Sequence, residues 1–279
     1  AGGMFALEIY NQLQAEDMVD YALELVENGD WNGGEKILGK LKKKFAHHSH
    51  VCYGLGILAA FNDKLDEAIH FFGKAVKIKP DFVEAHYNLG VAYKKQLMVP
   101  EMIESFRQVV KIGETDSYVV QQARGMLIQL EKQIQNNDNV NLDGYLKGHQ
   151  AFKQGMKYME SGNWNAAITK FNDTIEITPN NPQSYGNIGI CYASIGKVQV
   201  ALESFDRAIE LDPNYEPALL NRKIVESLEE GDCLEKGVKS IEYYKDYALE
   251  NRSYIQELVK EQGLLPENHK SKPIGGEGF

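Results

Sequence analysis

Cysteine is scarce in this 279-residue sequence, and the three cysteines are not arranged as pairs. Cys52, Cys191 and Cys233 are odd in number, lie far apart and form no C-x-x-C motif. Disulfide frameworks and cysteine zinc sites both need cysteines at matched spacings. The scarcity therefore argues against both kinds of site and favours a reducing compartment.

Long apolar runs and an excess of positive charge are also missing. No segment approaches the roughly 18 consecutive apolar residues of a membrane span, and the chain opens without the basic and apolar regions of a secretory signal. With 30 basic against 40 acidic side chains, the formal net charge is −10, which is the wrong sign for coating phosphate backbones. We therefore expect a cytoplasmic protein with no membrane span that binds no nucleic acid.

The sequence does contain a repeat. Two stretches share the same internal spacing of small residues, phenylalanine and proline; they are Gly56, Ala68, Phe72, Ala75 and Pro80, and Gly189, Ala201, Phe205, Ala208 and Pro213. A third copy begins at Gly155, and weaker copies keep the same register at Gly90 and Ala22. The step from Gly155 to Gly189 equals the steps from Ala22 to Gly56 and from Gly56 to Gly90. The chain is therefore built on a 34-residue period.

Each repeat predicts two amphipathic helices. The first has apolar residues three and four positions apart and breaks at a turn such as 194–196. The second runs to a proline such as Pro213, whose ring forbids a further helical turn. Gly189 and Ala201 allow the two backbones to approach closely, and Phe205 fills the space beside them. Because one helix pair cannot bury both of its faces, neighbouring repeats must stack.

Over most of the chain this pattern resembles that of the tetratricopeptide repeat proteins. The resemblance implies an all-α fold, an α-solenoid of helix-turn-helix repeats that forms a right-handed superhelix. The first repeat has Ala22 and Gly34 where the family has glycine and alanine, and the last has Lys223 and Lys239 where it has glycine and phenylalanine. Atypical end repeats are expected, because a terminal repeat faces water on one side.

A second, longer symmetry divides the repeats into two blocks. Trp31 and Trp164 lie in similar turns, and Gly56 and Gly189 are separated by the same offset, which is not a multiple of the repeat period. We therefore predict two blocks of three repeats, each followed by a capping helix. The predicted segments are an N-terminal segment at 1–14, repeat units at 15–48, 49–82 and 83–116, a capping helix and asparagine-rich hinge at 117–147, repeat units at 148–181, 182–215 and 216–249, and a C-terminal capping helix with a flexible tail at 250–279.

A histidine cluster is the conspicuous candidate for metal binding. His47, His48 and His50 lie in a turn between two repeats, and no acidic or cysteine partner close in sequence completes a ligand set. We therefore predict a solvated turn, with no metal and no cofactor. The sequence also lacks a nucleophile elbow, a phosphate-binding loop, an H-E-x-x-H pair and a dinucleotide fingerprint, which indicates a protein that is not an enzyme.

The resemblance further implies that the first helices line a concave groove, with positions 2, 5, 6, 9, 12 and 13 of each unit facing inward. These positions supply the predicted partner-binding residues, which are Tyr53, Ile57, Tyr87, Asn88, Lys94, Lys95, Phe152, Met156, Asn187, Ile190 and Asn221. The three asparagines share position 6, and an amide that both donates and accepts can hold an extended peptide backbone. The alternative is that asparagine is simply frequent at this position in the family.

These features predict a non-enzymatic protein–protein interaction scaffold that binds a peptide or helix in the groove. Two alternatives stay open: a substrate-recruiting region of a larger enzyme, or a self-assembling adaptor that forms a homo-oligomer. The clamp with which cochaperone repeats grip a chaperone carboxylate is disfavoured. It uses lysine and asparagine where this chain has Phe152 and Met156.

Overall fold

The computed structural model describes the backbone of residues 2–234 and the side chains of residues 13–136 and 139–234. Within this part, the chain forms twelve α-helices and no strand, so the predicted all-α helical repeat solenoid is confirmed. None of the described helices combines the length and the apolar character needed to cross a membrane. The helices are α1 (Gly2–Glu27), α2 (Trp31–Lys44), α3 (Ser49–Phe61), α4 (Leu65–Ile78), α5 (Val83–Lys95), α6 (Val99–Ile112), α7 (Tyr118–Asp138), α8 (Leu142–Glu160), α9 (Trp164–Ile177), α10 (Pro182–Ser194), α11 (Val198–Leu211) and α12 (Glu216–Val225).

The described chain divides into two compact units, the first reaching Gln129 and the second beginning at Leu130, within α7. In the first unit α1 packs on α2, α3 on α4 and α5 on α6, and further contacts join α1 to α3 and α4 to α5. In the second unit α8 packs on α9 and α10 on α11, while α9 contacts α10 and α11 contacts α12. Each unit is therefore a stack of antiparallel helix pairs.

Each helix pair turns at a residue in the left-handed backbone region, and these residues recur with the repeat. They are Gly29, Asp63 and Leu97 in the first unit, and Gly162 and Gly196 in the second, with φ angles between 56° and 90°. Within each unit, successive turn residues are one repeat period apart. Glycine adopts this conformation without steric cost, whereas for aspartate and leucine it is strained. The geometry of the stack therefore sets the turn even where the residue type opposes it.

In four helix pairs, a glycine of the first helix lies beneath a phenylalanine ring of the second. The pairs are Gly56 with Phe72, Gly90 with Phe106, Gly155 with Phe171, and Gly189 with Phe205. A Cβ atom built on any of these glycines would lie 2.6 or 2.7 Å from a ring carbon, which is closer than nonbonded carbons approach. All four rings are buried. The close approach predicted for Gly189 and Phe205 is therefore present.

The first repeat reaches a similar approach with its glycine on the opposite helix. A Cβ atom built on Gly34 of α2 would lie 2.7 Å from the carbonyl oxygen of Ala22 on α1 and would overlap Val26. Ala22 and Leu38 are fully buried at this crossing. The departure from the family pattern thus exchanges glycine and alanine between the two helices and keeps the close packing.

The asparagine-rich segment is more helical than the sequence predicts. α7 runs to Asp138, and only the short segment 139–141 separates it from α8. Leu130 and Ile134 are buried on α7, and burying such a side chain contributes about 1.5–3 kcal/mol. An asparagine in a helix costs at most about 0.7 kcal/mol. Tertiary packing therefore outweighs the weak helix propensity of Asn136 and Asn137.

The predicted C-terminal capping helix and tail at 250–279 lie outside the described residues. The same is true of the final predicted unit from residue 235 onward, so that its first helix, α12, is described and its second is not.

The three cysteines differ in their access to solvent. All are free thiols; Cys52 and Cys191 are buried, and Cys233 is exposed. Burial raises the pKa of Cys191 to about 12. Burial also raises the pKa of Cys52, and the charge of Lys74 partly opposes that rise.

We expect iodoacetamide at about pH 8 to label Cys233 and to leave Cys52 and Cys191 unmodified until the protein is unfolded. The thiolate is the reactive form, and both buried thiols stay protonated in the folded chain. Peptide mass spectrometry before and after urea treatment measures this. Rapid labelling of Cys191 in the folded protein would contradict the packing described here.

We expect Gly189→Ala to lower the free energy of unfolding by about 1–2 kcal/mol. Overpacking a core costs about 1–3 kcal/mol, which exceeds the gain of at most about 1 kcal/mol from replacing glycine by alanine in a helix. The matched control is Gly73→Ala on α4, where an added Cβ meets nothing within 4 Å. It should stabilise the protein by about 0.5–1 kcal/mol. Urea unfolding followed by circular dichroism measures both, and changes of the same sign would refute the steric explanation.

Candidate functional site

The eleven predicted partner-binding residues all lie on first helices of the repeats. In the first unit they are on α3 and α5, and in the second on α8, α10 and α12. Six are buried, namely Ile57, Tyr87, Asn88, Asn187, Ile190 and Asn221. Tyr53, Lys94, Phe152 and Met156 are half-buried, and Lys95 is exposed. The binding role of this set stays a prediction. Because the six buried side chains are not accessible, only the half-buried and exposed residues can contact a partner directly.

The buried asparagine of α5 connects two neighbouring repeats. Asn88 Nδ2 donates a hydrogen bond to Tyr53 Oη on α3 at 3.0 Å. The Tyr53 ring packs against Phe72 and Phe82, with ring centroids 5.9 and 5.0 Å away. Burial raises the pKa of Tyr53, the Glu84 carboxylate raises it further, and the bond from Asn88 lowers it. The hydroxyl therefore stays protonated at neutral pH and serves as the acceptor for the amide.

Asn187 occupies the same repeat position on α10 and makes a corresponding link. Its Nδ2 donates to Met156 Sδ on α8 at 3.5 Å. Near Met156 on α8, the half-buried ring of Phe152 packs edge-on against Phe171, with centroids 5.3 Å apart. Asn221, one repeat period beyond Asn187, is also buried. Asn88 and Asn187 therefore each join their helix to the first helix of the preceding repeat.

Both amides leave their carbonyl oxygen unsatisfied. In the described part of the chain, Asn88 Oδ1 and Asn187 Oδ1 are buried and accept no hydrogen bond, and Ser184 Oγ on α10 has no partner either. An unpaired buried polar atom costs about 1–3 kcal/mol, and most such atoms in folded proteins are paired. Each asparagine therefore links two neighbouring repeats through its Nδ2, while its unpaired carbonyl oxygen lowers the stability of the fold.

Two lysines stand in the last turn of α5. Lys94 is half-buried; desolvation lowers its pKa, and the adjacent charge of Lys95 lowers it further. Desolvation also lowers the pKa of Lys95, against the opposing effect of the Asp63 carboxylate. Among the side chains that the structure describes, no carboxylate oxygen lies within 4.0 Å of Lys94 Nζ. Lys94 is therefore a partly desolvated cation that the described chain leaves without a counter-ion.

The histidine turn is not the solvated turn that the sequence predicts. His47 is exposed, but His48 and His50 are half-buried, and Glu16 of α1 lies beside them with its Oε1 3.1 Å from His50 Nδ1. Burial lowers the pKa of His48, Glu16 raises it and His50 lowers it. Glu16 is remote in sequence, so the local pattern of the turn does not reveal it. The signal that could have found it is the repeat itself, since Glu16 and His50 occupy position 2 of successive units.

Two family models match the chain within these helix pairs. A model described as TPR repeat matches residues 62–96, which contain α4 and α5. A model described as Tetratricopeptide repeat matches residues 182–215, which contain α10 and α11. The chain is a tetratricopeptide repeat protein.

This tetratricopeptide repeat protein is similar to parts of larger curated proteins. It is 21% identical over 220 residues to the Protein O-mannosyl-transferase TMTC3 of Homo sapiens, a match that covers 71% of this chain and 24% of that protein. It is 21% identical over 193 residues to the Heat shock protein sti1 homolog of Schizosaccharomyces pombe, covering 65% of this chain and 31% of that protein. A solved structure of the TPR2AB domain of yeast Sti1 in a complex with pHSP90 has a TM-score of 0.38 and 16% identity, covering 90% of this chain and 92% of that one. The chain thus spans less than a third of the length of these two curated relatives.

We expect Tyr53→Phe to lower the free energy of unfolding by about 1–3 kcal/mol, because it leaves the buried Asn88 amide with no acceptor. The double variant Tyr53→Phe/Asn88→Leu should recover part of this loss, with a coupling energy of about 0.5–3 kcal/mol. Tyr118→Phe, at an exposed tyrosine, is the matched control and should change stability by less than about 0.5 kcal/mol. Urea unfolding of the parent, Tyr53→Phe, Asn88→Leu and the double variant closes the cycle. Strictly additive losses would show that the Tyr53–Asn88 bond does not connect the repeats.

Proposed function

We propose that this tetratricopeptide repeat protein is a non-enzymatic scaffold that binds an acidic segment of another protein on the first helices of its first unit. The observation that carries the proposal is the state of Lys94, a partly desolvated ammonium without a described counter-ion. A helix dipole favours lysine in a last turn, but partial burial and the adjacent Lys95 work against its charge. A carboxylate from a partner would remove this penalty.

The rest of the protein gives this small basic surface its selectivity. The chain carries a net charge of −10, so that the molecule as a whole repels an acidic partner and only basic patches attract it. Charge complementarity of this kind sets orientation and association rate more than affinity. The lysine pair therefore orients a partner on the first unit, and most of the binding energy comes from other contacts.

Affinity would come from the half-buried apolar and aromatic side chains of the first helices. Tyr53 of α3 retains accessible surface next to α5, and covering apolar surface contributes about 25 cal/mol per Å². Phe152 and Met156 are similarly half-buried, but they lie on α8 of the second unit and are not part of the surface proposed here. Asn88 and Asn187 are buried, so that we assign them the role of holding neighbouring repeats in register and not of reading the partner directly.

The reading of the chain as a substrate-recruiting region of a larger enzyme stays the second candidate. Its support is the similarity to an O-mannosyl-transferase, of which the chain covers only 24%. The scaffold proposal applies to this region in either case, because it concerns the binding surface and not a catalytic one.

The test is selection of random dodecapeptides displayed on phage against the immobilised protein, followed by fluorescence anisotropy of the enriched peptides. We expect enrichment of Asp and Glu, and Lys94→Glu/Lys95→Glu should weaken binding of the enriched peptides by about 10–100-fold, as expected for loss of partly buried charge pairs. The affinity should also fall as salt is added.

The matched control is Lys40→Glu/Lys43→Glu, which makes the same change in charge at two exposed lysines of α2. This variant should bind the enriched peptides within about twofold of the parent, because surface charges this exposed are largely screened. Equal losses in the two double variants, or enrichment of peptides without acidic residues, would overturn the proposal.

A further inference from the structure

We propose that Glu16, His48 and His50 form a binding site for a divalent cation of the zinc class that ties the first repeat to the second. The three residues come from separate places: Glu16 from α1, His48 from the turn after α2, and His50 from the first turn of α3. None of the three is among the predicted partner-binding residues.

The geometry is that of a partly assembled ligand set. One ring nitrogen of each histidine and one carboxylate oxygen of Glu16 all lie within 4.8 Å of one another. Zinc binds histidine nitrogen and carboxylate oxygen at about 2.0–2.2 Å, which places neighbouring ligand atoms of a tetrahedron roughly 3.4 Å apart. The Glu16 Oε1 to His50 Nδ1 edge is already 3.1 Å. The remaining edges need to contract by at most about 1.4 Å.

Unsatisfied nitrogen atoms point to a missing partner. His48 Nδ1 and His50 Nδ1 are buried and, within the described chain, make no hydrogen bond, although His50 Nδ1 is close to Glu16. A simple histidine–carboxylate ion pair would account for His50 but leaves His48 Nδ1 unexplained. A cation between the three groups would accept a lone pair from each nitrogen and balance the carboxylate charge.

Packing holds both imidazoles in place, as a metal site requires. The His48 ring meets Phe45 with centroids 6.4 Å apart, and the His50 ring meets Phe82 at 4.7 Å. His48 is the residue that precedes α3, with an extended backbone and no side-chain capping bond. Both rings are therefore positioned by neighbours other than each other, and neither is engaged in capping the helix.

The donor set selects the class of cation. Imidazole nitrogen suits zinc, copper and nickel, whereas magnesium and calcium prefer sets made of oxygen alone. Two histidines and one carboxylate are a ligand set used by zinc, with a fourth position left to water or another ligand. His47 is exposed and outside the set. We therefore assign zinc to this site, bound by three protein ligands from two successive repeats.

The first test is isothermal titration of zinc chloride into the full chain, freed of any affinity tag and stripped of metal with EDTA that is then removed. We expect one equivalent of zinc to bind. His50→Ala, His48→Ala and Glu16→Gln should each weaken binding at least tenfold, and His47→Ala, in the same turn, should leave it within twofold. Glu16→Gln keeps the side-chain shape, so that it tests the carboxylate even if a histidine variant folds poorly.

The second test uses cobalt(II) as a spectroscopic replacement for zinc. Bound in the proposed site, it should show the intense visible absorption of a tetrahedral ion, and the Glu16→Gln variant should lose it. Zinc at a hundredfold excess over its Kd should also raise the midpoint of thermal unfolding by about 5 °C. Absence of stoichiometric binding, or binding that His47→Ala weakens as much as His50→Ala does, would overturn the proposal.

Discussion

The structure depends on the absence of a side chain where a phenylalanine ring of the second helix crosses the first helix in four of the described pairs. At four crossings the ring occupies the space that a Cβ atom would need, and in the first repeat the same closeness is reached with glycine on the other helix. Dispersion and burial favour this contact only while the helices stay close. The paired helices, the turns between them and the spacing of successive pairs follow from it.

Stacking on this spacing brings side chains at related repeat positions together. Tyr53 meets Asn88, Met156 meets Asn187, and Glu16 meets His50, although the members of each pair are about one repeat period apart in sequence. Each of these contacts crosses from one repeat to the next. The proposed binding surface and the proposed metal site both draw on residues of successive repeats for this reason.

The sequence predicts the features that follow from spacing and misses those that follow from tertiary burial. Gly189 and Phe205 can be paired from their recurrence, because the steric need repeats with the period. The extent of α7 cannot, since it rests on the burial of Leu130 and Ile134. Likewise the repeat register places Asn187 on the inner side of its helix, but its complete burial depends on neighbouring side chains that the register does not describe.

Hydrogen–deuterium exchange of the intact chain, resolved by helix, tests most directly whether a glycine–phenylalanine contact makes two helices one cooperative element. For the pair joined by Gly189 and Phe205, we expect the central amides of α10 and α11 to exchange with the same opening free energy and the same response to added urea. Exchange of α11 at least about tenfold faster than α10, after correction for intrinsic rates, would mean that the two helices open separately. That result would contradict the steric origin of the fold.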